Sequence, residues 1–190
     1  MKKHIRVLGI DDAPFRFEGE KVLVVGVVMR LPGYLEGVMR TECSVDGDDA
    51  NSSLEEMIAR SRFREQFKLV MLDGVALGGF NVIDIDRLHE RTGIPVATVT
   101  RDRPDMDRIE DALRKYFDDW RTRLELIRRH PLHEVPTDHK PLFVSIVGIS
   151  LPETQQIISQ SIVRGAYPEP LRMAHIIASG MVKGESRGRA

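Results

Sequence analysis

Apolar positions in this chain come in short dense runs, each closed by turn residues, and the runs change character along its length. Ile5-Arg6-Val7-Leu8-Gly9-Ile10 predicts a first strand that ends on Asp11-Asp12, after which Ala13-Pro14-Phe15 breaks the pattern. Lys21 to Met29 (KVLVVGVVM) is strongly β-prone and predicts a second strand, with Leu31-Pro32-Gly33 as its turn. Leu35 to Val45 alternates well enough for a third strand, giving an antiparallel meander. Asp46-Gly47-Asp48-Asp49 ends it. Ser52-Ser53 can then cap a helix with Glu55-Glu56 in its first turn and Leu54, Met57 and Ile58 as its apolar stripe.

The next run, Lys68 to Leu72, stops abruptly at Asp73, followed by Gly74, Gly78 and Gly79. An apolar run bounded this way reads as a strand buried on both faces. An acid at its carboxyl end sits at the rim where open α/β sheets place ligands. Beyond it the pattern predicts a short helix over Asp84–Arg91, a strand over Ile94–Val99, and helices over Pro104–Tyr116 and Trp120–Arg129. A loop over His130–His139, a strand over Pro141–Val147, a helix over Leu151–Val163 with Pro152 in its first turn, and a last helix over Glu169–Val182 follow. Residues 184–190 form a polar tail. With no repeat, low-complexity tract or linker, residues 1–190 read as one domain.

Three antiparallel strands, a helix, then alternating strands and helices is the element order of a ribonuclease H-like α/β fold, a central mixed sheet flanked by helices. In that order the first strand is central and the strand after the first helix pairs beside it in parallel. Asp11 and Asp73 are therefore expected at one edge of the sheet on neighbouring strands.

Composition narrows the picture further. Hydrophobic residues make up 42% and charged residues 30% of 190, the balance of a globular chain able to bury a core. The net charge of -1 excludes a global basic field, so any nucleic-acid partner would have to be met by a local surface. One cysteine, Cys43, leaves no intrachain disulfide and no zinc framework. The start Met-Lys-Lys-His-Ile-Arg lacks the apolar core of a signal peptide and no run is long enough to span a bilayer, so the expected setting is intracellular, in the cytoplasm.

Carboxylates on neighbouring strand ends suit hard cations such as Mg²⁺, which take oxygen ligands and often rely on one or two carboxylates plus substrate phosphate. Like charges held together repel unless a cation neutralises them. Each acid also has a simpler reading: Asp11, Asp12 and Asp73 as turn formers, Asp46, Asp48 and Asp49 as a polar turn with helix-dipole compensation. His4, His89, His130, His133 and His139 show no ligand spacing and are expected at the surface, and His175 among Met173, Ile176 and Ile177 as a packed or partly exposed residue. Arg172 suits either a phosphate contact or an ion pair with a nearby acid. The glycines after Asp73 do not match a phosphate-cradling loop.

Gly9-Ile10-Asp11, Leu72-Asp73-Gly74, Pro141-Leu142-Phe143-Val144 and Tyr167-Pro168-Glu169-Pro170-Leu171-Arg172-Met173-Ala174 resemble short motifs of endonuclease V. The set GIDDAPF, VDGDDA, LDG, GFNVID and the tail GESRG is similar, over nearly the whole chain, to a mainly archaeal family called domain of unknown function 99, itself taken to be an endonuclease V relative. The resemblance implies a Mg²⁺- or Mn²⁺-dependent nuclease that cuts nucleic acid, DNA or RNA, near deaminated bases such as inosine. By motif it makes Asp11 and Asp73 metal ligands. The relative's third carboxylate is a Glu near the start of the first helix; no Glu here matches, so Asp46, Asp48 or Asp49 must substitute, with Asp49 favoured by its place at the helix entrance. Arg172, Arg187, Asp12 and Asn81 join the expected set as substrate contacts. Two departures stand out. The relative's His after the penultimate strand meets Val147-Gly148-Ile149-Ser150 here, and its Pro-containing wedge loop is echoed only by Pro32-Gly33-Tyr34-Leu35, between strands two and three. A module that binds nucleic acid without cutting it is the competing expectation.

Overall fold

A computed structural model describes residues 5–186. Seven strands form one sheet: β1 (Arg6–Asp12), β2 (Lys21–Arg30), β3 (Tyr34–Ser44), β4 (Phe67–Asp73), β7 (Val96–Thr100), β8 (His133–Val135) and β9 (Leu142–Val147). Their order is β3-β2-β1-β4-β7-β9-β8. β5 (Ala76–Leu77) and β6 (Asn81–Val82) make a small separate hairpin over the Gly78-Gly79 turn. The helices are α1 (Ala50–Ala59), α2 (Ile85–Thr92), α3 (Met106–Tyr116), α4 (Trp120–Arg128), α5 (Leu151–Ser161) and α6 (Glu169–Lys183).

β1 pairs antiparallel with β2 and parallel with β4, and β4 pairs parallel with β7. The parallel run stops there, because β9 returns antiparallel along β7 and β8 along β9. β8 falls inside the segment expected to be loop; three residues with no apolar alternation carry too little signal, and pairing with β9 makes the strand.

Alternation along the central strands divides the core in two. Val7, Leu69, Met71, Ala97 and Val99 face α5 and α6, where Ile157, Ile158, Leu171, Ala174 and Ala178 are fully buried. Leu8, Ile10, Val70, Leu72 and Val96 face α1 and α2, where Leu54, Ile58 and Leu88 close the layer.

Two contacts fix the layers around the sheet's carboxyl edge. A Cβ built on Gly9 would lie 2.5 Å from the Pro170 carbonyl carbon, so the start of α6 rests directly on the β1 backbone. On the other layer, α1 starts at Ala50, earlier than Ser52-Ser53 suggested. Its free Ala50 N–H donates to the Asn81 side-chain oxygen at 3.0 Å, a cap brought from a distant part of the chain.

Candidate functional site

β1 and β4 run side by side through the pair Ile10 and Leu72, so Asp11 and Asp73 emerge next to each other as the strands end. Both carboxylates lie on the α6 side. Asp11 Oδ1 accepts the Asp12 backbone N–H at 2.8 Å, and its Oδ2 is 2.9 Å from His175 Nδ1. Asp73 Oδ1 accepts the Tyr167 hydroxyl at 2.7 Å, and that hydroxyl also lies 3.2 Å from the Val99 carbonyl oxygen. The Arg101 guanidinium stacks 4.0 Å above the Tyr167 ring.

The start of α6 positions these partners together. Tyr167 precedes the helix, Pro170 sits on Gly9, and His175 follows one turn and a half later above Asp11. Five helical residues advance about 7.5 Å and two strand residues about 6.6 Å, so Pro170-to-His175 spans nearly the same distance as Gly9-to-Asp11.

Burial, then the Asp73 charge, then that of Asp12, push the Asp11 carboxyl up to about 8. Burial also raises Asp73, opposed by the Tyr167 hydroxyl and by the positive side of Arg101 and His175. Tyr167 rises well above its ordinary value because it is buried and faces the Asp73 charge. Two poorly solvated carboxylates this close resist ionising together unless a positive charge joins them. All-oxygen donors beside an imidazole fit a hard divalent cation that keeps most of its waters.

The acids expected to complete the set are engaged elsewhere. Asp49 accepts from the Ser44 N–H (2.8 Å), the Ser44 hydroxyl (2.9 Å) and Asn81 Nδ2 (2.7 Å). Burial works against its charge, but these donors outweigh it and hold its carboxyl below the usual range. Asp46 accepts the Phe80 N–H at 2.8 Å, and Asp12 accepts the Gly78 N–H at 2.6 Å; Gly78 and Gly79 take positive φ, which turns the loop's amides toward these acids. Asp48 has no bond to Asp11 or Asp73. Arg123 ties the same loops together through the Gly47 and Phe80 carbonyls. Among the described residues no three His, Cys, Asp or Glu side chains converge as a ready metal cage. Physically, Asp46 and Asp49 anchor the loops behind the site, on the α1 face, whereas Asp11 and Asp73 project to the α6 face.

Asn81, expected at the substrate, is fully buried: its oxygen caps α1 and its Nδ2 donates to the Ser44 carbonyl and to Asp49. Arg172 binds both Glu169 oxygens, at 2.7 and 2.6 Å, the ion-pair alternative raised by the sequence. Arg187 lies outside the described residues, as does His4. The two departures from endonuclease V also resolve spatially. The Val147–Ser150 turn follows Val147, which pairs with Val96 at the start of β7, and the Pro32-Gly33 turn sits beside Arg6 at the start of β1. Both therefore lie at the opposite end of the sheet from the acids, about 17 Å of strand away for the latter. The histidine that does reach the site is His175. Leu171, Ala174, His175 and Ala178 form an i, i+3, i+4, i+7 stripe, a spacing that marks His175 as inward-facing even without coordinates.

The family model described as endonuclease dU matches residues 3–182. The chain belongs to the endonuclease dU family. A UPF0215 protein of Methanothermobacter thermautotrophicus is 48% identical over the whole chain and 94% of its own length. The crystal structure of a protein of unknown function from Archaeoglobus fulgidus superposes with a TM-score of 0.85 at 36% identity, covering 93% of this chain and 98% of that one. Endonuclease V of Ciona intestinalis, in complex with a 24mer DNA containing an inosine followed by a ribo-adenosine, superposes with a TM-score of 0.63 at 16% identity, covering 97% of this chain and 88% of that one. At that identity the likeness is one of fold: this endonuclease dU family member has the endonuclease V architecture. Among the described residues no helix is long and apolar enough to cross a membrane.

Proposed function

We propose that this endonuclease dU family member is a divalent-metal-dependent phosphodiester hydrolase that cuts a nucleic-acid strand at a deaminated base. The observation that carries the reading is the pairing of Asp11 and Asp73 at the sheet edge, with His175 on one and Tyr167 on the other.

Asp11 and Asp73 are the residues that would hold Mg²⁺ or Mn²⁺. Such an ion, when bound, supplies an activated water and stabilises charge on the leaving oxygen. Each carboxylate keeps a lone pair free after its internal bond and can turn it toward the cation. Tyr167 fixes the orientation of Asp73 by its donated bond and favours its charged form. His175 holds Asp11 through Nδ1, which leaves Nε2 as the group able to move a proton at the reacting phosphate. Asp46, Asp49 and Asn81 act indirectly, by holding the loop that follows Asp73.

The family's name speaks for deoxyuridine and the endonuclease V complex for inosine; both bases are deamination products, which supports a site selective for deaminated nucleotides. Cleavage of DNA and RNA oligonucleotides carrying one deoxyuridine, uridine or inosine, with Mg²⁺ or Mn²⁺, tests the proposal. Metal-dependent nicking near the modified base, abolished in Asp73→Asn, is expected. Unchanged cleavage by Asp73→Asn would overturn the assignment. The competing non-catalytic reading drew on a missing histidine and a missing wedge; His175 beside Asp11 speaks against the first of these.

A further inference from the structure

Next to the acid pair, on the α6 side, lies a cleft of about 280 Å³ that the hydrolytic chemistry does not use. Three separate segments build it. Arg101 and Asp102 follow β7, Lys140 and Pro141 lead into β9, and Arg164 to Tyr167 connect α5 to α6. All three meet at the carboxyl edge of the sheet, because the start of β9 pairs with the end of β7 through Phe143 and Thr100.

The charge in this cleft is one-sided. Arg101, Lys140, Arg164 and Arg172 line it against a single acid, Asp102. Arg172 is neutralised by Glu169. Among the described residues none of Arg101, Lys140 or Arg164 has a carboxylate within ion-pair distance. On a chain whose net charge is -1, three unpaired cations directed at one groove are a local anomaly. Arg101 links the groove to the site, since it stacks on Tyr167, whose hydroxyl holds Asp73.

We infer that this cleft is a phosphate-binding track for the nucleic-acid strand on one side of the scissile bond. Arg101 takes the phosphate nearest Asp73, and Lys140 and Arg164 take the phosphates beyond it. The consequence for substrate class is direct. A cutting centre followed by a row of phosphate contacts is built for a polymer, and a free nucleotide would leave Lys140 and Arg164 unmatched. The inference rests on reading Asp11 and Asp73 as the cutting centre only for its direction from the site; the binding it describes stands without turnover.

Binding of fluorescein-labelled 20-residue single strands, with and without a deoxyuridine, measured by anisotropy between 50 and 200 mM KCl in EDTA, separates the two. The full chain is compared with Lys140→Glu/Arg164→Glu and with Arg62→Glu at the opposite end of the sheet. Each lost phosphate contact on a single strand reduces the salt slope by about 0.7, so the double variant should lose about 1.4 from the slope. It should also bind at least ~10-fold more weakly at 100 mM KCl, while Arg62→Glu binds as the unmodified chain does. Both cleft residues are exposed, and an unchanged melting temperature confirms that the variant folds. Strands with methylphosphonates on one flank of the deoxyuridine then read which side occupies the track: one flank weakens binding and the other does not. Unaltered affinity and slope in the double variant, or no oligonucleotide binding by the unmodified chain, overturns the inference. Cleft-dependent binding without cleavage under any divalent metal would leave the track standing and remove the hydrolase.

Discussion

His175 Nδ1 lies 2.9 Å from Asp11 Oδ2, across 164 residues of chain. A strand-end carboxylate and a helix-face imidazole meet because Gly9, two residues before Asp11, lets Pro170 rest on the strand backbone. The acid pair, its histidine and its tyrosine therefore depend on one helix entry being pressed against one glycine.

Gly9→Ala should damage both stability and activity. The added Cβ meets backbone and ring atoms of Pro170 at 2.5–2.7 Å, which cannot swing aside as a flexible side chain can. An overpacking cost of about 2–3 kcal/mol is expected, read as a lowered denaturant midpoint, with cleavage lost in parallel as His175 is displaced. Gly26→Ala is the comparison: its Cβ would meet the mobile ends of Leu8 and Met57 at 3.2 Å, and the loss should be smaller.

Asp11 should make the metal-free protein less stable as pH rises. Its folded carboxyl sits near 8 against an ordinary value of 3.8. The sign follows from linkage: a raised folded value gives stability that is whole below about pH 4 and lost as pH climbs through about 8. Asp11→Asn removes that loss. In EDTA the variant should match the unmodified chain near pH 4 and be the more stable of the two at pH 8. Mn²⁺ should restore the unmodified chain at pH 8 and leave Asp11→Asn unaffected. Parallel melting curves for the two proteins across this range would contradict the assignment.

His175→Ala should slow cleavage by roughly 100-fold or more, the scale of a lost general acid or base. Oligonucleotide affinity and melting temperature should move little, since the imidazole is about a third exposed. A pH–rate profile that loses one limb in His175→Ala, with Asp11 intact, distinguishes proton transfer from simple packing.

Tyr167→Phe should weaken metal binding without unfolding the chain. The hydroxyl stabilises the charged form of Asp73, so its removal raises that carboxyl further and makes the cation compete with a proton. Calorimetric Mn²⁺ titration should show a lower affinity, with a deficit that shrinks as pH is raised.

Asn81→Ala should be a stability variant. It removes the acceptor that caps α1 and two donors, to Ser44 and Asp49, from a fully buried position. A loss of about 2–4 kcal/mol is expected from stranded buried partners. Asp49→Asn should cost less, because one oxygen still accepts; if it abolished Mn²⁺ binding while the fold stayed intact, Asp49 would be a ligand after all.

Much of the architecture was legible in the chain itself. Runs such as KVLVVGVVM and Lys68 to Leu72 announce strands because burial on a pleated surface demands those side chains. The order of elements places Asp11 and Asp73 on neighbouring strand ends, and the parallel pairing of β1 with β4 follows from that order. Periods of 2 and 3.6 are local properties, so sequence suffices to read them.

What the sequence could not decide was which polar groups face which. Asp46, Asp48 and Asp49 read like site acids because they are acidic and near a helix start. Only the folded loops show Asp46 and Asp49 engaged by Phe80, Ser44 and Asn81. Asn81 is expected as a substrate contact and is instead the distant cap of α1. The Val147–Ser150 turn follows a strand, and only register shows it at the far end of the sheet. A hydrogen bond between residues 164 positions apart leaves no periodic trace in the chain. Hydrophobic pattern determines the elements and their order, while the pairing of Asp11 with His175 and Asp73 with Tyr167 is decided by how closely α6 can approach β1, a matter of one missing methyl group at Gly9.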